Sequence, residues 1–316
     1  MKLETAANLI RSGGVVAFPT ETVYGLGADA WNPDAVRQIF ELKGRPSDNP
    51  LIVHLADPSG ADDFASDIHP DARKLMKTYW PGPLTLVVQK KPGVPDIVSG
   101  GLPTVAIRIP DHPVARQLIL QSGPLVAPSA NRSGRPSPTR PAHVREDFGD
   151  DLPILDGGPT AIGLESTVID VTAAPFRLLR PGAITPGRIQ SDTGIEVLPD
   201  RPDKISESPR SPGVRYTHYT PEASVEWLSD NGPDSNQSVL PKENVLLLTH
   251  TEKHPEYPFQ IHFHGDFDRF ARELYDRFRS ADHRSLPSIL IEPLPLDSSH
   301  PIIPALRNRI EKAIGR

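Results

Sequence analysis

Apolar positions along this chain fall into short β-rich runs, with segments of helical spacing between them. Leu3, Ala6, Ala7 and Ile10 share one helical face ahead of Gly13-Gly14, which predicts a helix over 3–12. Val15 to Phe18 is a strand-like run that breaks at Pro19. Asn32-Pro33-Asp34 caps a second predicted helix over 33–42, with proline in its first turn. Further strands are predicted at 51–55, 83–88, 104–109, 124–127, 154–155, 166–171 and 177–179. Helices are predicted at 70–79, 112–121, 141–148 and 184–191. The alternation is irregular, which fits an α/β domain with a mixed parallel/antiparallel sheet better than a strict βαβ array.

The pattern changes further on. Residues 201–223 are rich in proline and polar groups and poor in aliphatics, so they read as a linker between a domain over 1–200 and a smaller one over 224–316. Tyr216, His218 and Tyr219 make that linker denser in aromatics than a passive tether needs. Beyond it, Val245 to Leu248 and Ile289 to Ile291 are strand-like. Phe267 to Arg279 is helical, with Phe270, Leu274 and Phe278 on one face, and Ala305 to Ile314 is a terminal helix. That order predicts a small Rossmann-like α/β unit. It has no GxGxxG fingerprint, so no dinucleotide is inferred.

Composition narrows the function class. The chain has 316 residues and a formal net charge of −6. Residues 1–190 hold 19 Lys+Arg against 20 Asp+Glu, and residues 191–316 hold 15 against 20, so the acidic excess is C-terminal. The one strongly basic zone is 101–145, with six arginines, which suggests an anionic ligand. No cysteine is present, which removes disulfides and thiolate metal sites. The N-terminus lacks a signal-peptide pattern and no apolar run approaches ~18 residues, so a cytoplasmic protein with no membrane contact is expected.

Three groups of residues bear chemistry. Lys43-Gly44-Arg45-Pro46 sets a point charge and a planar fork around one glycine, a small anion clamp; the same residues would serve as a basic helix C-cap. Residues 127–139, APSANRSGRPSPT, offer hydroxyls, an amide and arginines after a short strand, and also suit plain turns. Ser166 stands at a strand start and Arg180 after the next strand. The stretch Gly13 to Ala30 sets Thr20-Glu21-Thr22 at the end of its strand, and Tyr24-Gly25-Leu26-Gly27 reads as a backbone bend that lets the loop close around a ligand. His262-x-His264 reads as an exposed strand more readily than as metal ligands. HExxH, GxSxG and Walker motifs are absent.

Taken in order, FPTETVYGLGADA (18–30), the Lys43/Arg45 pair, DNPLIVHL (48–55), WPGPLTLVV (80–88) and TVAIRIPDHP (104–113) are similar to one family. APSANRSGRPSPT (127–139), GLESTVIDV (163–171), LLRPG (178–182) and SPGVRYTHYTPEA (211–223) extend the match. The chain resembles the YrdC-type L-threonylcarbamoyl-AMP synthases in their long form with an extra C-terminal domain. The resemblance implies a YrdC-like twisted mixed sheet with flanking helices. It implies condensation of L-threonine, bicarbonate and ATP to threonylcarbamoyl-AMP and pyrophosphate, for N6-threonylcarbamoyladenosine modification of tRNA. Magnesium would be carried by ATP with no protein metal site, and a separate tRNA threonylcarbamoyl transferase complex would complete the modification.

Residue roles follow from the same resemblance. Lys43, Arg45, Ser129 and Asn131 match a KxR/SxN tetrad that holds phosphates and transition-state charge. Thr20 and His54 line the threonine pocket, and Arg108 pairs with the threonine carboxylate beside the Ser166 hydroxyl. Thr104, Ser137 and Arg180, with Lys43 and Ser129, contact the nucleotide. Tyr219 packs over the site from a linker that works as a lid. The competing expectation is a non-catalytic module of this fold holding double-stranded RNA or tRNA on the basic zone. Carbamoyl-transfer relatives that adenylate carbamoyl phosphate are a third reading, and their zinc-finger context is missing in a chain without cysteine.

Overall fold

The computed structural model describes residues 1–200, 219–228, 240–296 and 299–315. They separate into two compact units. One comprises residues 1–133 and 137–200, the other residues 134–136 and those from 219 onward. The expected linker falls largely on 201–218, including Tyr216 and His218, and the expected lid there lies outside the described residues.

The first unit runs α1 (Leu3–Arg11), β1 (Val16–Phe18), β2 (Gly25–Asp29), α2 (Pro33–Lys43), β3 (Ile52–His54), α3 (Ala61–Phe64), β4 (Ala65–Asp67), α4 (Pro70–Tyr79) and β5 (Leu84–Lys90). It continues α5 (Asp96–Ser99), β6 (Thr104–Arg108), α6 (Pro113–Ser122), β7 (Leu125–Val126), α7 (Pro141–Phe148), β8 (Thr167–Asp170), β9 (Phe176–Arg180), α8 (Pro186–Thr193) and β10 (Val197–Pro199). The helices predicted in this unit are all present within two residues of their expected ends. The strands form one mixed sheet in the order β1-β2-β7-β3-β6-β5-β8-β9-β10, with β4 beside β5. β3 and β6, β5 and β8, and β9 and β10 pair parallel. The remaining pairs are antiparallel.

Side-chain alternation gives the sheet two apolar faces. Val16 and Phe18 join Leu125 beneath α1 and α6, through Ala6, Ala7, Ile10, Leu118 and Ile119. Ala17 faces the other way, into the larger core with Leu26, Ile39, Val53, Leu75 and Leu86. That core fixes α2, whose start is capped by Asn32 accepting from Asp34 and Ala35, and whose end turns at Gly44 with φ 60°. Lys43 is thereby the last helical residue.

One expected feature is overturned. Gly25 to Gly27 is not a bend but part of β2, antiparallel to β1 with Phe18 opposite Gly25. The glycines make room for the Phe18 ring: a Cβ on Gly27 would lie 2.7 Å from Phe18 Cε1, and one on Gly25 3.2 Å from it. Glycine here serves close packing of a strand, a use that its composition signal does not separate from a turn.

The second unit holds β11 (Ser224–Trp227), β12 (Val245–Thr249), β13 (Phe259–His262), α9 (Phe267–His283), β14 (Ser288–Ile291) and α10 (Ile303–Ile314). Its sheet is all parallel, in the order β11-β14-β12-β13. The α9 stripe of Phe270, Leu274 and Phe278 is fully buried, as its spacing predicts. Among the described residues, no helix is long and apolar enough to cross a membrane.

Candidate active site

Parallel β3 and β6 end side by side, with His54 opposite Arg108. In the antiparallel β5/β6 pair Leu86 faces Ile107, so one step further Thr85 stands beside Arg108. Thr85 Oγ1 lies 2.8 Å from Ser166 Oγ, and Ser166 in turn accepts from Arg180 Nη2 at 3.1 Å. The result is a row of buried polar side chains, His54, Arg108, Thr85, Ser166 and Arg180, across the ends of neighbouring strands. Strand ends are where open α/β sheets form ligand sites.

The loop after β1 closes over that row. Thr20 Oγ1 donates to Val23 O at 2.6 Å and accepts from the Thr22 and Val23 amides, each at 3.2 Å, which fixes a tight hydroxyl turn. Thr22 Oγ1 accepts from Arg108 Nη1 at 3.0 Å, Gly82 O accepts from Arg108 Nε at 3.2 Å, and Glu21 Oε1 is 2.6 Å from Arg108 Nη2. Tyr24, at the end of the loop, donates through its hydroxyl to Gly158 O at 2.7 Å and accepts from the Gly157 amide at 3.1 Å. Burial, more than any neighbouring group, pushes the Tyr24 phenol up to about 12. His54 Nδ1 lies 3.0 Å from Ile52 O, and burial together with the Arg108 cation pulls its pKa down to about 3. The imidazole is therefore neutral across the physiological range.

The second cluster joins α2 to the loop after β7. Lys43 Nζ donates to Ser129 O at 2.6 Å and to Asn131 O at 2.5 Å. Lys43 O accepts from the Ser133 amide at 2.8 Å, so the loop is docked on the helix end. Arg45 donates to Asn49 O at 3.3 Å and Pro50 O at 3.0 Å. Burial holds the Lys43 ammonium well below its ordinary pKa, and the neighbouring Arg45 charge lowers it further. A buried cation with a second cation beside it is a site prepared for an anion.

The predicted site residues thus divide. Lys43, Arg45, Ser129 and Asn131 come together, as do Thr20, His54, Arg108 and Ser166. Arg180 reaches the second group by donating to the Ser166 carbonyl and hydroxyl. Ser137 Oγ donates to Glu165 Oε1 at 2.6 Å. Thr104 is at the far end of β6, four residues and about 13 Å from Arg108. Tyr219 belongs to the C-terminal unit, where it takes a left-handed backbone (φ 68°), stacks on Tyr275 at 5.5 Å and lies under the Arg309 guanidinium. In that unit the His262 and His264 rings are 4.0 Å apart. Among the described residues no group of three or more His, Asp or Glu is arranged to hold a metal ion.

The sequence places Thr20-Glu21-Thr22 together at a strand end, but a role is assigned there to Thr20 alone, and Tyr24 reads only as part of a bend. Thr85, inside a β-rich run, is missed.

A mixed α/β sheet with a buried cation clamp and a polar row at its strand ends defines an α/β domain built around an anion site. Residues 8–182 match the Sua5, YciO and YrdC family, described as "Telomere recombination", and residues 184–315 match the "Threonylcarbamoyl-AMP synthase, C-terminal domain". The threonylcarbamoyl-AMP synthase of Bacillus subtilis (strain 168) is 45% identical over 99% of this chain and 93% of its own. That of Pyrococcus abyssi is 42% identical over 99% and 94%. The crystal structure of P. abyssi Sua5 complexed with L-threonine superposes with a TM-score of 0.88 at 40% identity, covering 99% of this chain and 94% of the other. The chain belongs to the Sua5/YrdC family in its long form with the Sua5 C-terminal domain.

Proposed function

We propose that this chain is a threonylcarbamoyl-AMP synthase, a nucleotidyltransferase that joins L-threonine, bicarbonate and ATP and releases pyrophosphate. The observation that carries the reading is the Lys43 ammonium, buried beside Arg45 and gripping the carbonyls of Ser129 and Asn131. Full-length likeness to synthases from a bacterium and an archaeon supports it.

Threonine's carboxylate pairs with Arg108 beside the Ser166 hydroxyl. Its side chain meets Thr20 and neutral His54, which presents no charge to a methyl and hydroxyl group. The amine and bicarbonate give a carbamate and water, and the buried row shelters that labile group from bulk solvent. A carbamate oxygen then attacks the α-phosphorus of ATP in line with departing pyrophosphate. Such transfers depend on positioning and on cations around the phosphoryl oxygens. Lys43 and Arg45 supply those cations, and Ser129 and Asn131 orient the nucleotide with Ser137, Thr104 and Arg180. Magnesium carried by the nucleotide would offset the charge of the leaving pyrophosphate. The product is handed to a transferase that modifies tRNA.

The test is pyrophosphate release from ATP with threonine and bicarbonate each left out in turn. Release that needs both is expected. Release that continues without either overturns the reading.

A further inference from the structure

The geometry points to Glu21 as the group that receives the amino nitrogen of the substrate, so that Glu21 and Arg108 together clamp a zwitterionic amino acid. The identity of that amino acid rests on the synthase reading above.

Arg108 does not need Glu21 to stay in place. Its Nε and Nη1 are held by Gly82 O and Thr22 Oγ1. Nη2 and Glu21 Oε1 are only 2.6 Å apart, yet out of line for a hydrogen bond. Both Glu21 carboxylate oxygens and Arg108 Nη2 are buried without a hydrogen-bond partner. Glu21 is 7% exposed and Arg108 3%. An ion pair withdrawn from water carries a desolvation cost, and that cost is offset only when the remaining donors and acceptors are satisfied. Three unsatisfied atoms in one contact leave the Glu21–Arg108 pair short of that compensation.

A zwitterion supplies what is missing. Its carboxylate takes Arg108 Nη2, its ammonium takes Glu21, and one internal ion pair is exchanged for two. Both charges of an α-amino acid sit on a single carbon, so their partners must be neighbours, as Glu21 and Arg108 are. The exchange leaves the net charge of the pocket unchanged. A carboxylic acid without the amine fits less well, because it takes Arg108 from Glu21 and leaves the buried carboxylate with no cation. Glu21 therefore selects for the amine that the reaction goes on to carboxylate.

Calorimetric titration of the full-length protein with L-threonine and with its deamino counterpart, 2,3-dihydroxybutanoate, tests this. Wild-type protein is expected to bind threonine about 30-fold or more tightly than the hydroxy acid. Glu21→Gln is expected to weaken threonine by about 30-fold while the hydroxy acid binds as well as before or tighter, since no carboxylate is left stranded, so the discrimination collapses. A Glu21 that merely positions Arg108 weakens both ligands by the same factor, and that result overturns the inference. The wild-type arm needs no variant: wild-type protein that binds the two acids equally well overturns it even if Glu21→Gln does not fold. Wild-type protein that binds neither acid and releases no pyrophosphate overturns the synthase reading itself, an outcome distinct from threonine bound without discrimination.

Discussion

Lys43 Nζ stands 2.6 Å from the carbonyl of Ser129 and 2.5 Å from that of Asn131, partners 86 and 88 residues along the chain. One side chain at a helix end thereby sets the shape of the loop that carries the other half of the tetrad. The same ammonium is buried and faces Arg45, so it is held against both desolvation and like charge.

That cost sets a pH signature. Burial keeps the Lys43 pKa well below its ordinary value, so Lys43 loses its proton at lower pH than an exposed lysine does. Raising the pH removes positive charge from the phosphate clamp, and ATP affinity is expected to fall on the alkaline side. Lys43→Arg keeps its charge throughout, so its ATP affinity should stay flat over that range even if it starts lower. Lys43→Met should cut turnover by about 100-fold or more while the protein remains folded. ATP titrations from about pH 7 to about pH 10, where an ordinary lysine titrates, check the first two, and pyrophosphate release checks the third.

His54 gives a signature on the acid side. Its folded pKa is about 3, below the ordinary histidine value of 6.5, so the unfolded chain takes up the proton first. The stability of the folded protein is unaffected by this group above pH 6.5 and falls as pH drops from there toward 3. The expected slope from this one residue is about 1.4 kcal/mol per pH unit. His54→Gln should flatten denaturant-melt stability between those limits by about that slope, whatever it does to threonine binding. An unchanged slope would mean that another group governs acid unfolding.

The tetrad was legible in the sequence because its members are short, fixed-spacing pairs, Lys43 with Arg45 and Ser129 with Asn131. The helices were legible because caps such as Asn32 and Gly44 punctuate them. β2 was not, since two glycines within five residues look like a turn until the Phe18 ring that needs their space is in view. Glu21 was legible as a carboxylate at a strand end but its partner was not, because only the fold brings Arg108, 87 positions on, into contact with it. Tyr219 stood out in the sequence as an aromatic in a linker, and its described surroundings are Tyr275 and Arg309 in the C-terminal unit.

Tyr24 ties the loop after β1 to residues 157 and 158 through one hydroxyl that both donates and accepts. Tyr24→Phe keeps the ring and removes both bonds, leaving the Gly157 amide and Gly158 carbonyl without that partner. The expected cost is about 1–3 kcal/mol in a denaturant melt. Because the same loop carries Thr20 and Glu21, the threonine KM should rise more than kcat falls.

Gly182 offers the sharpest steric test. It passes the start of β8 so closely that a Cβ would lie 2.3 Å from Thr167 N and 2.7 Å from both Ser166 C and Thr167 Oγ1. Those atoms cannot give way cheaply. Thr167 N donates to Pro83 O at 2.9 Å, and Thr167 Oγ1 donates to Ile184 O at 2.8 Å and accepts from Ile184 N at 3.1 Å. Any retreat drags Ser166, and with it the hydroxyl shared by Thr85 and Arg180. Gly182→Ala should therefore cost about 3 kcal/mol or more and raise the threonine KM in whatever folded protein remains. Gly187 is the matched control. It lies in α8 with open space around its Cα, so Gly187→Ala should stabilise by about 0.5–1 kcal/mol through helix propensity and leave kinetics untouched. Melts of the two variants side by side separate a backbone contact that positions Ser166 from the general effect of adding a methyl group.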